Sequence, residues 1–565
     1  MKSGWQLLVV FSTLLSLTSA NLQAQTANLL PLPITAKIDS LFTEFTKPNT
    51  PGCAIGVVRN DSLIFAKGYG LANLEKQEPI SPQTPVYLAS VSKQFTAYAI
   101  VLLAKAGKLK LSDDIRVHLP WFPDLKRKIT IRHLLNHTSG IRDDLELVTF
   151  GGLPIQMGVT QDVAIQYIKR SRSLNFDPGQ RYLYSNSNYV LLAEIVKEKS
   201  GQPFKAFTET TFFRPLAMKT SRFIDSPSEL PKERALSYVK NGNAYFPAFH
   251  AIYTMGDGGM FSTIEDLSRW VINFYNPTVG DQKTIAQLTE KGILNNNEKI
   301  SYALGIGVDD YKGFRKFEHG GALYGYRTNI AVFPDLKMGI ILLSNNGTVN
   351  TGAKTNQLTD ILLKQYPLQN TPDKVAMVPA KDTIALNPVM AKAISGKYIA
   401  EDGLPFTFTL TDQDLNWESN SFGRQRLVQT AKMTFEAPSV QVKFVMTATA
   451  KDTTLHQFYP GSNERLMTKY IPNTAFLPKE ADAYTGSYYS PELETTVEIL
   501  FKDEQLQVKA PKLGAVKLTV LDRKNMVITE GGDRLYVNFL IDNEKVTGFD
   551  FNTSRLRHLR FEKVK

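Results

Sequence analysis

The 565-residue sequence predicts an α+β unit followed by an all-β tail, and three observations carry that prediction. Strand-like runs stand at both ends of residues 27 to about 370, with helical periodicity between them. One sheet assembled from the two ends, with a helical region beside it, satisfies that pattern. A polar stretch then carries Pro367, Pro372, Pro379 and Pro388, the composition of a linker. Beyond it the apolar period becomes two, as in Phe406, Phe408 and Leu410, and later Val497, Ile499, Leu506 and Val508.

The elements follow in chain order. Lys2, the apolar run Leu7 to Leu17 and the small residues after it read as an export signal over residues 1–24, cleaved after Ala20 or Ala24. No later stretch approaches 18 apolar residues, so the mature chain is expected to be exported, periplasmic or secreted, and soluble, without an integral membrane segment. Residues 25–370 form the α+β unit. Ile34 to Phe45 is an amphipathic helix, and Ile55 to Val58 and Leu63 to Tyr69 are strands turned by Asn60-Asp61. Phe95, Ala99, Leu102, Leu103 and Ala106 recur at three and four, a buried helix with Pro85 upstream and Gly107 closing it. Helical segments run on to about Ala217. Strands return at Tyr324 to Val332 and Met338 to Ser344, joined by Phe333-Pro334-Asp335, and a helix from Thr355 to Gln365 ends at Pro367. The lone cysteine, Cys53, forms no internal disulfide and reads as a buried strand residue.

The tail repeats itself. After a linker at 371–388, Ile394-Ser395-Gly396-Lys397-Tyr398 is answered ninety residues later by Tyr484-Thr485-Gly486-Ser487-Tyr488. Asp412-Gln413-Asp414-Leu415 is likewise answered by Asp503-Glu504-Gln505-Leu506. Two β domains, 389–475 and 476–565, are expected to form two small antiparallel barrels or one larger one.

The net charge of +11 is dispersed, without basic runs interleaved with aromatics, which excludes nucleic acid as a partner and leaves room for cell-wall material. Seven histidines show no metal-ligand spacing, so no metal is expected.

Chemistry concentrates in Ser90-Val91-Ser92-Lys93. Residues three apart share a helix face, so the Ser90 hydroxyl and the Lys93 amine can meet at a helix N-terminus, where free N–H groups gather. A serine needs a base before it attacks, and a desolvated lysine can help supply one. Tyr184-Ser185-Asn186 precedes an apolar helix; a phenol beside an ammonium can act as a general base, and an asparagine can hold a substrate amide or the lysine. His319-Gly320-Gly321-Ala322 stands before a strand, where glycines let a substrate backbone approach and leave N–H groups for an oxyanion. His133 to Gly140 and Gly258 to Thr263 offer no acid–base pair and read as scaffolding around the pocket.

In this order and spacing, Ser90-x-x-Lys93, His137-Thr138-Ser139-Gly140, Tyr184-x-Asn186, Gly258-Gly259 and His319-Gly320-Gly321 resemble the serine β-lactamase-related hydrolases. That group includes class C β-lactamases, D-alanyl-D-alanine carboxypeptidases, D-aminopeptidases and esterases, and the likeness covers roughly residues 30 to 365. It implies a β-lactamase/transpeptidase-like domain followed by lipocalin-like β domains. It also implies an acyl-enzyme on Ser90, with Lys93 in the proton network and Tyr184 as base and then acid. Asn186 would orient substrate, the Ser90 and Ala322 N–H groups would hold the oxyanion, and no cofactor would be needed. Penicillin-recognising members carry Lys-Thr-Gly at the third motif; His319 and Gly320 here replace a fixed cation and a threonine. A small amide, peptide or ester with less reliance on a free carboxylate is therefore the expected substrate, D-amino-acid or cell-wall peptides included. β-Lactamase or penicillin-binding carboxypeptidase activity, or a weakly catalytic sensor, stand as alternatives.

Overall fold

The computed structural model describes residues 30–564 apart from 154–157, 365–382 and short tail segments at 402, 412–413, 420–422, 441, 449–452, 459–464, 473–477, 511–513 and 531–532. The expected export signal and most of the expected linker lie outside the described residues.

Six antiparallel strands form the central sheet: β1 (Cys53–Arg59), β2 (Ser62–Tyr69), β3 (Gly307–Tyr311), β4 (Phe314–Leu323), β5 (Tyr326–Phe333) and β6 (Met338–Ser344). Their spatial order is β3-β4-β5-β6-β1-β2, so the two ends of the unit meet at β6 against β1, with Ile55 opposite Leu342. Alternation decides the faces. Cys53, Ile55 and Val57, with Ile340 and Leu342, pack under α1 (Leu32–Leu41) and the C-terminal helix Thr351–Leu363. Ala54 and Val58, with Ile341 and Leu343, face the helical region, including Phe95 and Trp270. Both faces are covered, so every residue of β6 is buried. Burial of such aliphatic side chains contributes roughly 1.5–3 kcal/mol each.

Helix α2 (Lys93–Lys105) follows a 3-10 turn, Ala89–Ser92, and ends before Gly107, whose φ of +71° suits a glycine terminator. The helical stretch divides into several elements up to Phe213, the longest being α3 (Ser187–Ser200). One expectation shifts. His319-Gly320-Gly321 lies within β4 rather than before a strand; glycine pairs lower strand propensity, and pairing with β5 from Phe317 to Leu323 overrides it.

The tail forms two closed eight-stranded antiparallel barrels, Gly396–Tyr470 and Gly486–Val564, each preceded by a short helix that starts at a proline. The repeated Gly-x-Tyr opens the first strand of each barrel, with Tyr398 and Tyr488 buried. Lys469 and Lys563 bind Ala393 O and Ala483 O at equivalent seams. The second barrel packs on the α+β unit: Leu147 and Phe150, from the helix Asp144–Phe150, join its apolar core. The first barrel packs on the second through Ile399, Val527 and Tyr536.

Candidate active site

Ser90 sits in the 3-10 turn that leads into α2. The residue before it, Ala89, adopts φ +48°, an uncommon conformation for a residue with a Cβ. The chain there is held from both sides: Leu88 N–H donates to Met260 O at 2.8 Å, and Thr328 Oγ1 donates to Leu88 O at 2.8 Å. Gly321 is required by the same approach, because a Cβ at that position would stand 2.1 Å from Leu88 O.

The turn places Lys93 Nζ 3.2 Å from Ser90 Oγ. The ammonium also donates to Asn186 Oδ1 at 2.9 Å and Asp257 O at 2.6 Å, committing all three of its protons. Asn186 lies beneath the cleft, tied to Lys93 and, through its N–H, to Asp143 Oδ2 at 2.7 Å. Burial pushes the Asp144 carboxyl well up, with neighbouring Asp143 adding to it. Burial also raises the Asp257 carboxyl, against the opposing pull of Lys93.

Tyr184 stands over this network. Its ring centroid is 4.9 Å from Lys93 Nζ and 4.2 Å from the His137 ring, and its Oη is buried with no hydrogen-bond partner among the described residues. The phenol oxygen is thus the one proton-transferring atom of the pair left without a partner among the described residues, whereas Lys93 Nζ has its three hydrogen bonds already made. His137 accepts Ser185 N–H at Nδ1 (3.2 Å) and fixes the segment that carries Tyr184. In the same way the Gly258-Gly259 segment is held below Ser90 by Gly259 N–H donating to Tyr87 Oη at 3.0 Å.

The opposite wall is the exposed end of β4. Strand β3 covers β4 only as far as Glu318, so Gly320 to Leu323 present a free edge toward the Ser90 turn. Backbone N–H groups at such an edge can pair with a substrate's main chain or carry an oxyanion. His319 lies at the start of that edge. Its Nδ1 is 2.7 Å from Gly320 O and its Nε2 2.8 Å from Tyr302 Oη. A carbonyl only accepts, so Nδ1 carries the proton and Nε2 accepts from the phenol. Burial, with Lys93 nearby, holds the imidazole down to about 4. The residue that replaces the fixed cation is therefore a neutral ring with both nitrogens occupied.

Ser90, Tyr184, His319, Gly320, Gly321 and Ala322 line one cleft of about 640 Å3. Two arginines that the motif reading did not single out line it as well: Arg327 and, from the second barrel, Arg555. Arg555 stacks at 5.0 Å on the Tyr184 ring and approaches Asp143 Oδ2 at 3.4 Å. The loop that brings it, Thr553 to His558 between the last two strands, is pinned to the catalytic unit. Glu146 accepts from Ser554 Oγ at 2.8 Å and from Thr553 Oγ1, and Asn175 binds both Arg555 O and Arg557 N–H. Buried Arg142 donates to Arg557 O and His558 O and pairs with Glu492 at 3.0 Å. Glu401 of the first barrel bridges Arg181 at 2.9 Å and Arg557 at 3.5 Å. The sequence held one signal for this loop. The final inter-strand connection reads Thr-Ser-Arg-Leu-Arg-His in the second copy and Tyr-Pro-Gly-Ser-Asn-Glu in the first.

The Beta-lactamase family model matches residues 38–363, more than half of the chain. The chain belongs to the Beta-lactamase family. A penicillin-binding protein of Bacillus subtilis is 28% identical over 405 residues, 68% of this chain and 88% of that protein. The D-aminopeptidase of Brucella anthropi is 28% identical over 298 residues, 52% of this chain and 56% of its own length, so the match takes in only about half of that relative. Among solved structures, the octameric penicillin-binding protein homologue from Pyrococcus abyssi superposes with a TM-score of 0.53 at 19% identity, covering 84% of this chain and 98% of that one. The D-amino acid amidase from Ochrobactrum anthropi SV3 gives 0.52 at 17%, covering 59% and 100%. These structures share the fold of the catalytic unit. The protein is a β-lactamase-fold serine hydrolase.

Proposed function

We propose that the protein is an exported hydrolase that opens a small amide, peptide or ester through an acyl-enzyme on Ser90, with D-amino-acid or cell-wall peptides as the favoured substrates. The reading rests on one observation: Lys93 Nζ lies 3.2 Å from Ser90 Oγ, in the cleft that Tyr184 and the β4 edge also line. With its phenol ionised, Tyr184 takes the Ser90 proton as Oγ attacks the carbonyl carbon, then passes that proton to the leaving amine or alcohol and returns to the phenolate. The Ser90 and Ala322 N–H groups hold the oxyanion, and Asn186 keeps Lys93 in register beneath it. Water then repeats the sequence on the ester to free the acid and Ser90. The D-aminopeptidase relative supports the peptide class. The assigned catalytic unit at 25–370, linker at 371–388 and β domains at 389–475 and 476–565 belong to the same proposal.

The penicillin-binding relative favours β-lactam or D-alanyl carboxypeptidase chemistry as a second reading, which nitrocefin turnover would establish. The first is tested with a fluorophosphonate probe: wild-type enzyme is labelled stoichiometrically and Ser90→Ala is not. Equal labelling of the variant would end the assignment.

A further inference from the structure

Among the described residues lining the catalytic cleft there is no aspartate or glutamate, but there are two guanidinium groups, Arg327 and Arg555. They are not equivalent. Arg327 Nη1 donates to Tyr324 O and Tyr326 O, so part of its donor set is spent on its own strand entry. Among the described residues the Arg555 side chain donates only to Asp143, from Nη1, at a long 3.4 Å, and 38% of it is exposed. Asp143 is itself shared: it accepts Asn186 N–H at 2.7 Å and Glu146 N–H at 3.3 Å. A guanidinium has five N–H donors in a planar fork, so Arg555 keeps donors for a partner in the cleft. Its backbone is fixed by Glu146 and Asn175, which hold that fork over Tyr184 at little further entropic cost on binding. His319, standing where penicillin-recognising members carry a lysine, offers no free donor.

We propose that Arg555, a residue of the second barrel, is a specificity-determining residue of the cleft and binds a carboxylate carried by the substrate. The substrates favoured are thus amides or esters with a free carboxylate close to the reacting carbonyl, and it is the tail that selects them. The inference rests on the hydrolase reading above. It reverses the expectation, drawn from His319 alone, that the site relies little on such a group. The carboxylate could sit on the acyl half of the substrate or on its leaving half.

Two matched pairs separate those sources and test the proposal in the full-length protein. The first is p-nitrophenyl hydrogen succinate against p-nitrophenyl methyl succinate; the second is N-acetyl-D-alanyl-D-alanine against its C-terminal amide. The anionic member of at least one pair should be preferred in kcat/KM. Arg555→Met should lower that anionic-to-neutral ratio by about 10- to 100-fold, mainly through KM, with Arg555→Lys in between. Because each ratio is taken on one preparation, loss of folded enzyme cancels. No preference in either pair, or a preference that survives Arg555→Met, overturns the proposal. A gain on neutral substrates at an unchanged ratio would also overturn it, by making Arg555 a steric plug. Failure of the wild-type enzyme to take the fluorophosphonate label would instead bring down the hydrolase reading.

Discussion

The two barrels of the tail share a strand order and part company in use. Both open on Gly-x-Tyr, both close with the eighth strand on the first, and each ties its start with a lysine from its last strand. The second takes Leu147, Phe150 and Tyr167 of the catalytic unit into or against its core and sends Arg555 to the cleft. The contact of the first with the catalytic unit is, in the ion pairs of the described residues, Glu401 on Arg181. Repetition therefore specified the architecture of the copies, while the differences between them specified their roles. A barrel's strands are constrained by pairing and packing, whereas its connections are free to carry function.

Three measurements sharpen this contrast. The largest effect is expected at the seam of the second barrel. Arg142 is fully buried, and Arg142→Ala leaves Glu492 without its cation and the carbonyls of Arg557 and His558 without a donor. A loss of about 3–5 kcal/mol in unfolding free energy is expected by urea titration. A loss below ~1 kcal/mol would mean that the seam carries no stability.

Acid comes next, and it acts through buried imidazoles of the catalytic unit. Burial holds His319 down to about 4 and His137 well below its ordinary 6.5. Both are depressed in the folded chain, so between those values the unfolded chain binds more protons. The stability they contribute is complete above pH 6.5 and is lost as pH falls toward 4. Unfolding at pH 5 should cost roughly 2 kcal/mol less than at pH 7 on account of His319, with His137 acting in the same direction, additively with Arg142→Ala. Stability that is level across this interval would show that the rings are not held neutral.

The smallest effect belongs to the first barrel. Glu401→Gln weakens two partly buried ion pairs and should cost about 1 kcal/mol, seen as a small drop in Tm. A cost matching that of Arg142→Ala would make the two barrels equal partners and remove the contrast.

The sequence made the framework of the site readable where chemistry depends on local spacing. Ser90 and Lys93 meet because a turn of helix brings them together, and Tyr184-x-Asn186 and His319-Gly320-Gly321 were visible as compact motifs. The strand pattern gave β2 and β6 to within one residue and β1 and β5 to within two, because apolar runs bounded by turns leave little choice of position. Less legible was whatever arises from distant packing. Nothing local to His319 indicates that Tyr302 occupies its second nitrogen, and nothing near Ser90 indicates an arginine 465 positions further on. Asp143 and Glu146, which anchor the loop, sit among other acidic residues and gain their role only when the barrel arrives.

Glu401 deserves a mechanical reading. Its carboxylate grips Arg181 of the catalytic unit and Arg557 of the loop at once, and Arg557 is two residues from the guanidinium over Tyr184. One carboxylate of the first barrel is thereby joined to the loop that lines the reaction chamber, so a shift of that barrel is coupled to the loop before it reaches any other wall of the cleft.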